Sequence, residues 1–404
     1  MLNNPLFKSN NINQGGEIES NRQWLDNLLN EAIGRRTSDV HIDPGQNESR
    51  MRLRIDGMLY ELDSYEKDLH GTIVSQIKVL ANMDISNVHF PQDGQFEYEF
   101  DERTHYIRVS TFPTIYGESV VMRILNRKDS LVSLSELGFD EKQLADVMDI
   151  INRPFGMVLI TGPSGSGKST MLNSILIHLN KPERNIITIE DPVEFHIEGV
   201  RQTQINPYHE FGFPEALRAI LRQDPDIMMI GEIRDATTAQ IAVQATLTGR
   251  LFFSTFHTLD VFAIIARFIE MGVPRSVVAH VVGGVVSARL VRKIHEKCKI
   301  PYQVKDYEMR MIGDMLPEGI AMYQGEGCHE CSNTGYYGTT GIFQVVPFSE
   351  ELRVAIIENK PVEYIHTLLK GKQVKSLLES GIDKIVQGIS TPEEVIRVTG
   401  GKRT

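Results

Sequence analysis

Eight consecutive residues, Gly162, Pro163, Ser164, Gly165, Ser166, Gly167, Lys168 and Ser169, match the pattern G-x-x-x-x-G-K-[ST] without a mismatch, and Thr170 extends the run. These residue types at this spacing suit one task. Glycines let successive backbone N–H groups turn inward around phosphate oxygens. A helix opening at the lysine adds the positive end of its dipole. Lys168 then reaches the β- and γ-phosphates, and the Ser169 hydroxyl holds Mg²⁺. The flanks agree: apolar "MVLIT" precedes the loop and amphipathic "TMLNSILIHL" follows it, the strand–loop–helix order the motif requires. The chemistry expected is hydrolysis of a nucleoside triphosphate.

Such a loop needs acids at neighbouring strand ends to position the metal and the attacking water. The run "IITIEDPVEF" ends in Glu190, Asp191 and Glu194, and "IMMIGE" ends in Glu232. Ligands of an open parallel sheet collect at the carboxyl ends of its strands, so both clusters are expected to face the loop. A further apolar run closes on "STFHT", which carries His257. The cysteines form a second constellation. There are only three, Cys298, Cys328 and Cys331, too few for a disulfide framework. The C-x-x-C pair reads as metal ligands or as a redox group, in a reducing compartment.

The elements that must position these groups follow from the pattern of apolar runs. A chain of 404 residues, 41% of them hydrophobic, carries enough material for more than one core. Its net charge of −11 argues against sequence-independent nucleic-acid binding. The N-terminus lacks the basic start and apolar middle of a signal peptide. No apolar run reaches the ~18 residues of a membrane span; "VVAHVVGGVVSARL" is short and carries His280 and Arg289. A cytosolic protein with at most peripheral membrane contact is expected.

Residues 1–20 read as a flexible leader. Residues 21–127 read as an α+β domain: a helix over 21–36, then antiparallel strands with a hairpin at Asp56–Gly57. Residues 128–150 read as a linker. Over 151–290, "MVLIT", "IITIE", "IMMIG" and "LFFST" do not alternate and are separated by helical stretches, which predicts an α/β domain with a buried parallel sheet. Residues 291–345 form a cysteine-bearing insertion, and 346–404 a helical region.

The segments "GPSGSGKST", "ITIEDPVEF", "LRQDPDIMMIGEIRDATTAQIAVQATLTG" and "STFHT", in this order, resemble the secretion ATPase superfamily that powers type II secretion and type IV pilus assembly. "SDVHIDP", "RLRIDGML" and "CHECSNTGYYGTTGIFQV" also look like segments of that family. The resemblance implies a RecA-like P-loop ATPase domain preceded by a PAS-like α+β domain, with ATP and Mg²⁺ as cofactors. Glu194 would be the acid that polarises water, Glu232 the Walker B acid, and His257 a sensor of the γ-phosphate. Arg108 and Arg123 match interface arginines that reach the nucleotide on domain closure or from a neighbouring subunit; Arg218, Arg222 and Arg234 would help couple subunits.

The family usually binds one structural zinc with two C-x-x-C pairs; here the resemblance gives H-x-x-C and C-x-x-C, so His295, Cys298, Cys328 and Cys331. His329 competes for the fourth place, and a metal-free remnant is the other reading. Two positions depart from the family. Gly-His is replaced by Gly249–Arg250, and Thr-Asn by Thr258–Leu259. Arg250 cannot shuttle a proton near neutral pH. The implied function is a homohexameric motor for pilin or pseudopilin assembly, peripheral at the cytoplasmic face of the inner membrane. Its partners would be a membrane platform protein and a docking protein, with no specific nucleic acid. A retraction or DNA- or protein-translocating motor, and a nucleotide-dependent regulatory module, are the alternatives.

Overall fold

A computed structural model of the chain describes residues 18–125, 132–206, 209–258, 260–317 and 319–401. Residues 1–17 of the expected leader, and Leu259, lie outside these. The described residues form two compact units, one of residues 18–125 together with His329–Ser332 and one of the rest of the chain from residue 132 onward.

In the first unit, α1 (Ile18–Gly34) leads into β1 (Thr37–Asp43), β2 (Glu48–Ile55) and β3 (Met58–Glu66). Helix α2 (His70–Leu80) then precedes β4 (Gln92–Phe100), β5 (Arg103–Thr114) and β6 (Gly117–Leu125). The strands form one sheet in the order β3-β2-β1-β6-β5-β4. Every pairing is antiparallel, so each strand alternates one face in and one face out. Leu25, Leu28 and Leu29 of α1, spaced for one helix face, pack with Ile73, Val74 and Ile77 of α2 on the apolar side of the sheet. The other side carries the arginines that alternate with Met51, Leu53 and Ile55 on β2.

The second unit opens differently from the expected linker over 128–150. Its second half is helix α3 (Glu141–Ile151). Asp140 caps that helix by accepting from the Gln143 N–H at 2.7 Å. Val147, Ile150 and Ile151 are buried in the core of the main sheet, and Phe139 stacks on Phe343 at 3.9 Å. Charge in "NRKDSLVSLSELGFD" hid an amphipathic helix that starts just beyond it.

The main sheet comprises β7 (Gly156–Thr161), β8 (Ile186–Glu190), β9 (Arg201–Gln204), β10 (Ile227–Glu232), β11 (Leu251–Phe256), β12 (Val282–Ile294) and β15 (Tyr336–Pro347). Their order is β15-β12-β7-β11-β10-β8-β9. All neighbours run parallel except β15, which is antiparallel to β12. Strands β7, β8 and β11 are buried along their whole length, as their continuous apolar runs predict. Helices α4 (Lys168–Leu179), α5 (Phe213–Ile220), α6 (Ala236–Leu247), α7 (Val261–Glu270) and α8 (Arg275–Val281) connect them. Two apolar clusters form the core, one on each face.

The expected boundary at 290/291 falls inside β12, which continues to Ile294. Gly284–Ile294 and Tyr336–Pro347 form one long antiparallel ladder, so the insertion hangs from two strands of the main sheet. Within it lie β13 (Lys299–Tyr302), α9 (Asp306–Ile312) and β14 (Met322–Gly325). Helices α10 (Glu350–Ile357), α11 (Val362–Gly371), α12 (Leu377–Val386) and α13 (Pro392–Thr399) complete the chain. Among the described residues, no helix is long and apolar enough to cross a membrane.

Candidate active site

The phosphate loop leaves the carboxyl end of β7 and enters α4. Space dictates its glycines. A Cβ on Gly162 would lie 2.4 Å from Ser166 Oγ and 2.6 Å from the Ala288 carbonyl oxygen. Gly167 caps α4 with a left-handed φ of 87°, which favours a residue without a side chain. Lys168 opens the helix with its side chain turned back over the loop. Its ammonium donates to the carbonyls of Gly162 at 2.8 Å and Pro163 at 2.9 Å. Burial, with Arg289 nearby, lowers its pKa against the opposing pull of Glu232.

The loop borders a cavity of about 480 Å³. Ser164, Gly165, Gly167, Lys168, Ser169 and Thr170 line one side; Glu190, Glu194, Glu232 and His257 line the other. The sheet order explains this convergence. Strand β11, immediately beside β7, delivers His257; β10 and β8, the next strands over, deliver Glu232 and Glu190. All are parallel, so their carboxyl ends meet at one edge.

The three groups around the lysine are electrostatically linked. His257 Nδ1 lies 3.5 Å from the Lys168 ammonium, which can only donate. The lone pair therefore belongs on Nδ1 and the proton on Nε2, which faces Glu232 Oε2 at 3.6 Å. Burial, then Lys168, lowers the His257 pKa, so the neutral ring is favoured. Burial pushes Glu232 up, but Arg234, His257 and Lys168 overcome it and hold the carboxyl below its ordinary range. Arg234 bonds Glu232 within the chain. Arg218 pairs with Glu215 at the surface, and Arg222 donates to the Arg218 carbonyl.

The two acids of the β8 end differ. Glu190 is buried; it accepts from the Thr188 hydroxyl at 2.6 Å and from Gln202 Nε2 at 3.0 Å. Burial raises its pKa despite those donors, with Glu194 adding to the rise. Glu194 is exposed at the cavity and makes no hydrogen bond or ion pair with the described residues. Of the pair it is the exposed carboxylate.

Hydroxyl groups that the sequence did not single out fix these strand ends. Thr161 Oγ1 donates to the Thr258 carbonyl at 2.5 Å and accepts from the Thr258 hydroxyl at 2.8 Å, securing the segment that follows His257. Thr255 Oγ1 donates to the Gly231 carbonyl at 2.6 Å, beside Glu232. Gln202 comes from β9, and no local signal links it to Glu190. Thr188 could have been found, because residues i and i+2 of a strand share a face.

Arg250 is placed away from this chemistry. It precedes β11 and bonds the Pro225 carbonyl and the Thr248 hydroxyl. The nucleotide edge lies beyond the six residues of β11, about 20 Å further on. Arg250 is therefore not among the residues that line the cavity. Arg108 and Arg123 belong to the first unit, directly opposite each other on β5 and β6.

His295, Cys298, Cys328 and Cys331 come together with their ligand atoms all within 4.8 Å of one another. His295 Nδ1 lies 3.5 Å from Cys298 Sγ and 3.3 Å from Cys328 Sγ. A tetrahedral zinc with bonds of about 2.1 Å to nitrogen and 2.3 Å to sulfur sets those ligands about 3.6 Å apart. The donor set and its spacing thus fit zinc, with His295 rather than His329 as the fourth member. Gly325 and Gly335 make the turn possible: a Cβ on Gly325 would lie 1.9 Å from the Gly335 carbonyl oxygen.

A family model described as type II/IV secretion system protein matches residues 16–397. The type II secretion system protein E of Dickeya dadantii (strain 3937) is 41% identical over 372 residues, covering 92% of this chain and 74% of that protein. The type IV pilus assembly ATPase PilB of Thermus thermophilus is 40% identical over 380 residues, covering 94% of this chain and 43% of that protein. The ATPase DotB of Legionella pneumophila shares the fold, with a TM-score of 0.69 at 20% identity over 94% of this chain and 96% of that one. The pilus retraction motor PilT, with bound ADP, does so with a TM-score of 0.59 at 24% identity over 93% and 96%. With the family match running nearly end to end, this chain belongs to the type II/IV secretion system protein family.

Proposed function

We propose that this protein is an ATP-hydrolysing motor that works as a homohexamer and drives pilin or pseudopilin assembly in a type IV pilus or type II secretion system. The observation that carries this reading is the single cavity uniting Lys168 and Ser169 with Glu194, Glu232 and His257. On this reading the loop N–H groups and Lys168 bind the β- and γ-phosphates. Ser169 holds Mg²⁺, which when bound neutralises phosphate charge. Glu194 orients and polarises the attacking water. Glu232, held by Arg234, anchors His257, whose neutral ring links the acid to Lys168. Arg108 and Arg123 supply positive charge to the phosphates. The test is turnover by the purified assembly: Lys168→Ala and Glu194→Gln are each expected to abolish ATP hydrolysis, and a normal rate in either removes the motor mechanism. A regulatory module without turnover predicts no hydrolysis in the unaltered protein.

The cluster of His295, Cys298, Cys328 and Cys331 supports two further readings. It is proposed to hold one structural zinc, because four protein ligands leave no open position. It also favours assembly over retraction, since retraction motors of the superfamily generally lack this insertion. Deleting the gene separates the two: an assembly motor leaves the cell without surface pili or secreted substrate, a retraction motor leaves it with excess pili. The proposed partners are an inner-membrane platform protein and a docking protein at the cytoplasmic face.

A further inference from the structure

Four charged residues occupy one register row across four adjacent strands of the first unit. Arg54 of β2 is opposite Asp39 of β1, Asp39 is opposite Arg123 of β6, and Arg123 is opposite Arg108 of β5. Their strand neighbours Leu53, Val40, Met122 and Val109 are buried, so the row lies on the face away from the core. Like charges directly opposite on neighbouring strands repel. One carboxylate stands among three arginines.

That carboxylate is fixed on both oxygens. Asp39 Oδ1 accepts from Arg123 Nε at 2.7 Å. Oδ2 accepts from the Ser38 hydroxyl at 2.9 Å and lies 3.9 Å from Arg54 Nε. The Asp39 side chain is only 7% exposed, whereas that of Arg123 is 61% exposed. An acid anchored in this way cannot follow a mobile guanidinium; it holds it. The grip is on Nε, and neither terminal nitrogen of Arg123 hydrogen-bonds a described residue. Arg108, beside it, has no hydrogen bond or ion pair among the described residues. Arg54 donates to the Gly57 carbonyl, so the positive charge whose terminal donors bond no described residue is that of Arg123 and Arg108, an arrangement matched to a phosphate group.

We propose that Asp39 is a positioning residue for Arg123: it fixes the guanidinium by Nε so that its terminal N–H groups meet a nucleotide phosphate beside Arg108. The proposal rests on the reading that these two arginines serve ATP hydrolysis. Fixing the long side chain in advance removes an ordering cost from the step at which the phosphate is engaged. Restraint of Arg108 by charge alone is weaker, so its contribution depends on Arg123 staying in place.

The test is a double-mutant cycle in steady-state ATP hydrolysis, on the full-length assembly with its size verified. Asp39→Asn is expected to lower kcat about tenfold with KM for Mg-ATP little changed, and Arg123→Ala to lower it at least as far. The double variant is expected to match Arg123→Ala, because Asp39 acts only through that side chain. Ser38→Ala, which frees Oδ2 without removing the charge, is expected to give a smaller loss in the same direction. Wild-type turnover in Asp39→Asn with a slow Arg123→Ala overturns the positioning role and leaves the arginine reading standing. Multiplied losses in the double variant also overturn it, since a merely structural acid would act independently of Arg123. Wild-type turnover in Arg123→Ala overturns the arginine reading and this proposal together.

Discussion

Replacing Glu232 by Gln isolates the charge at the centre of the cavity. The shape of the side chain is kept and one negative charge is removed from among Arg234, His257 and Lys168. Two effects follow, with different signs. Nucleotide binding should hold or tighten, because the deleted charge lies on the cavity wall that receives phosphates. Turnover should fall roughly 10²–10³-fold, the usual loss when a group that manages charge or protons in the transition state is removed. A third effect is specific to this geometry. Glu232 Oε2 lies 3.6 Å from His257 Nε2, on a ring whose side chain is 51% exposed. At that separation and in a water-like dielectric, the carboxylate stabilises the imidazolium by about 1 kcal/mol. Removing it should lower the His257 pKa further below its ordinary value. The assay combines binding of a fluorescent ATP analogue, phosphate release, and the histidine ring resonances followed through a pH titration. If turnover stays normal, or if the His257 titration moves upward, the assigned link between Glu232 and His257 is wrong.

Three further outcomes are expected. The protein should carry one zinc per chain, and Cys331→Ser should weaken zinc binding by more than the roughly 10–100-fold typical of altering a group behind the ligands; metal analysis after dialysis against a chelator reads this, and wild-type protein with far less than one zinc contradicts it. Arg250→His should leave ATP turnover within about twofold of normal, because β11 separates that residue from the cavity; a large change would place catalysis elsewhere. Glu394 is fully buried, with Arg292 at 2.8 Å and Arg397 at 2.6 Å. Burial pushes its carboxyl up, but Arg397 and Arg292 prevail and hold it below 4.5. Its contribution is therefore fully present above that value and is lost as pH falls through the folded-state pKa. Glu394→Ala, which removes the fully buried carboxylate that pairs with both Arg292 and Arg397, should cost about 3–5 kcal/mol in denaturant unfolding near neutral pH.

The parts of this molecule legible in its sequence are those that local rules dictate. The phosphate loop reads from consecutive residues because one turn of backbone makes it. The buried strands read from continuous apolar runs, since a strand covered on both faces has no polar side to show. Helix α3 was hidden because the charged stretch before it masked its period, and β12 because its glycines broke an apolar run that continues past Arg289. The paired spacings of His295 with Cys298 and of Cys328 with Cys331 were visible locally, whereas joining them across 33 positions of chain followed from the family resemblance and not from the spacing. By itself, then, the sequence determined the phosphate loop, the strand–helix alternation and which acids are candidates for the site, because each depends on neighbours along the chain. Only the tertiary structure decided which acid is buried and which is free, that Arg250 lies at the far edge of the sheet, and that Asp39 grips an arginine 84 residues away. Those follow from strand order and register, which are set by how whole faces bury one another.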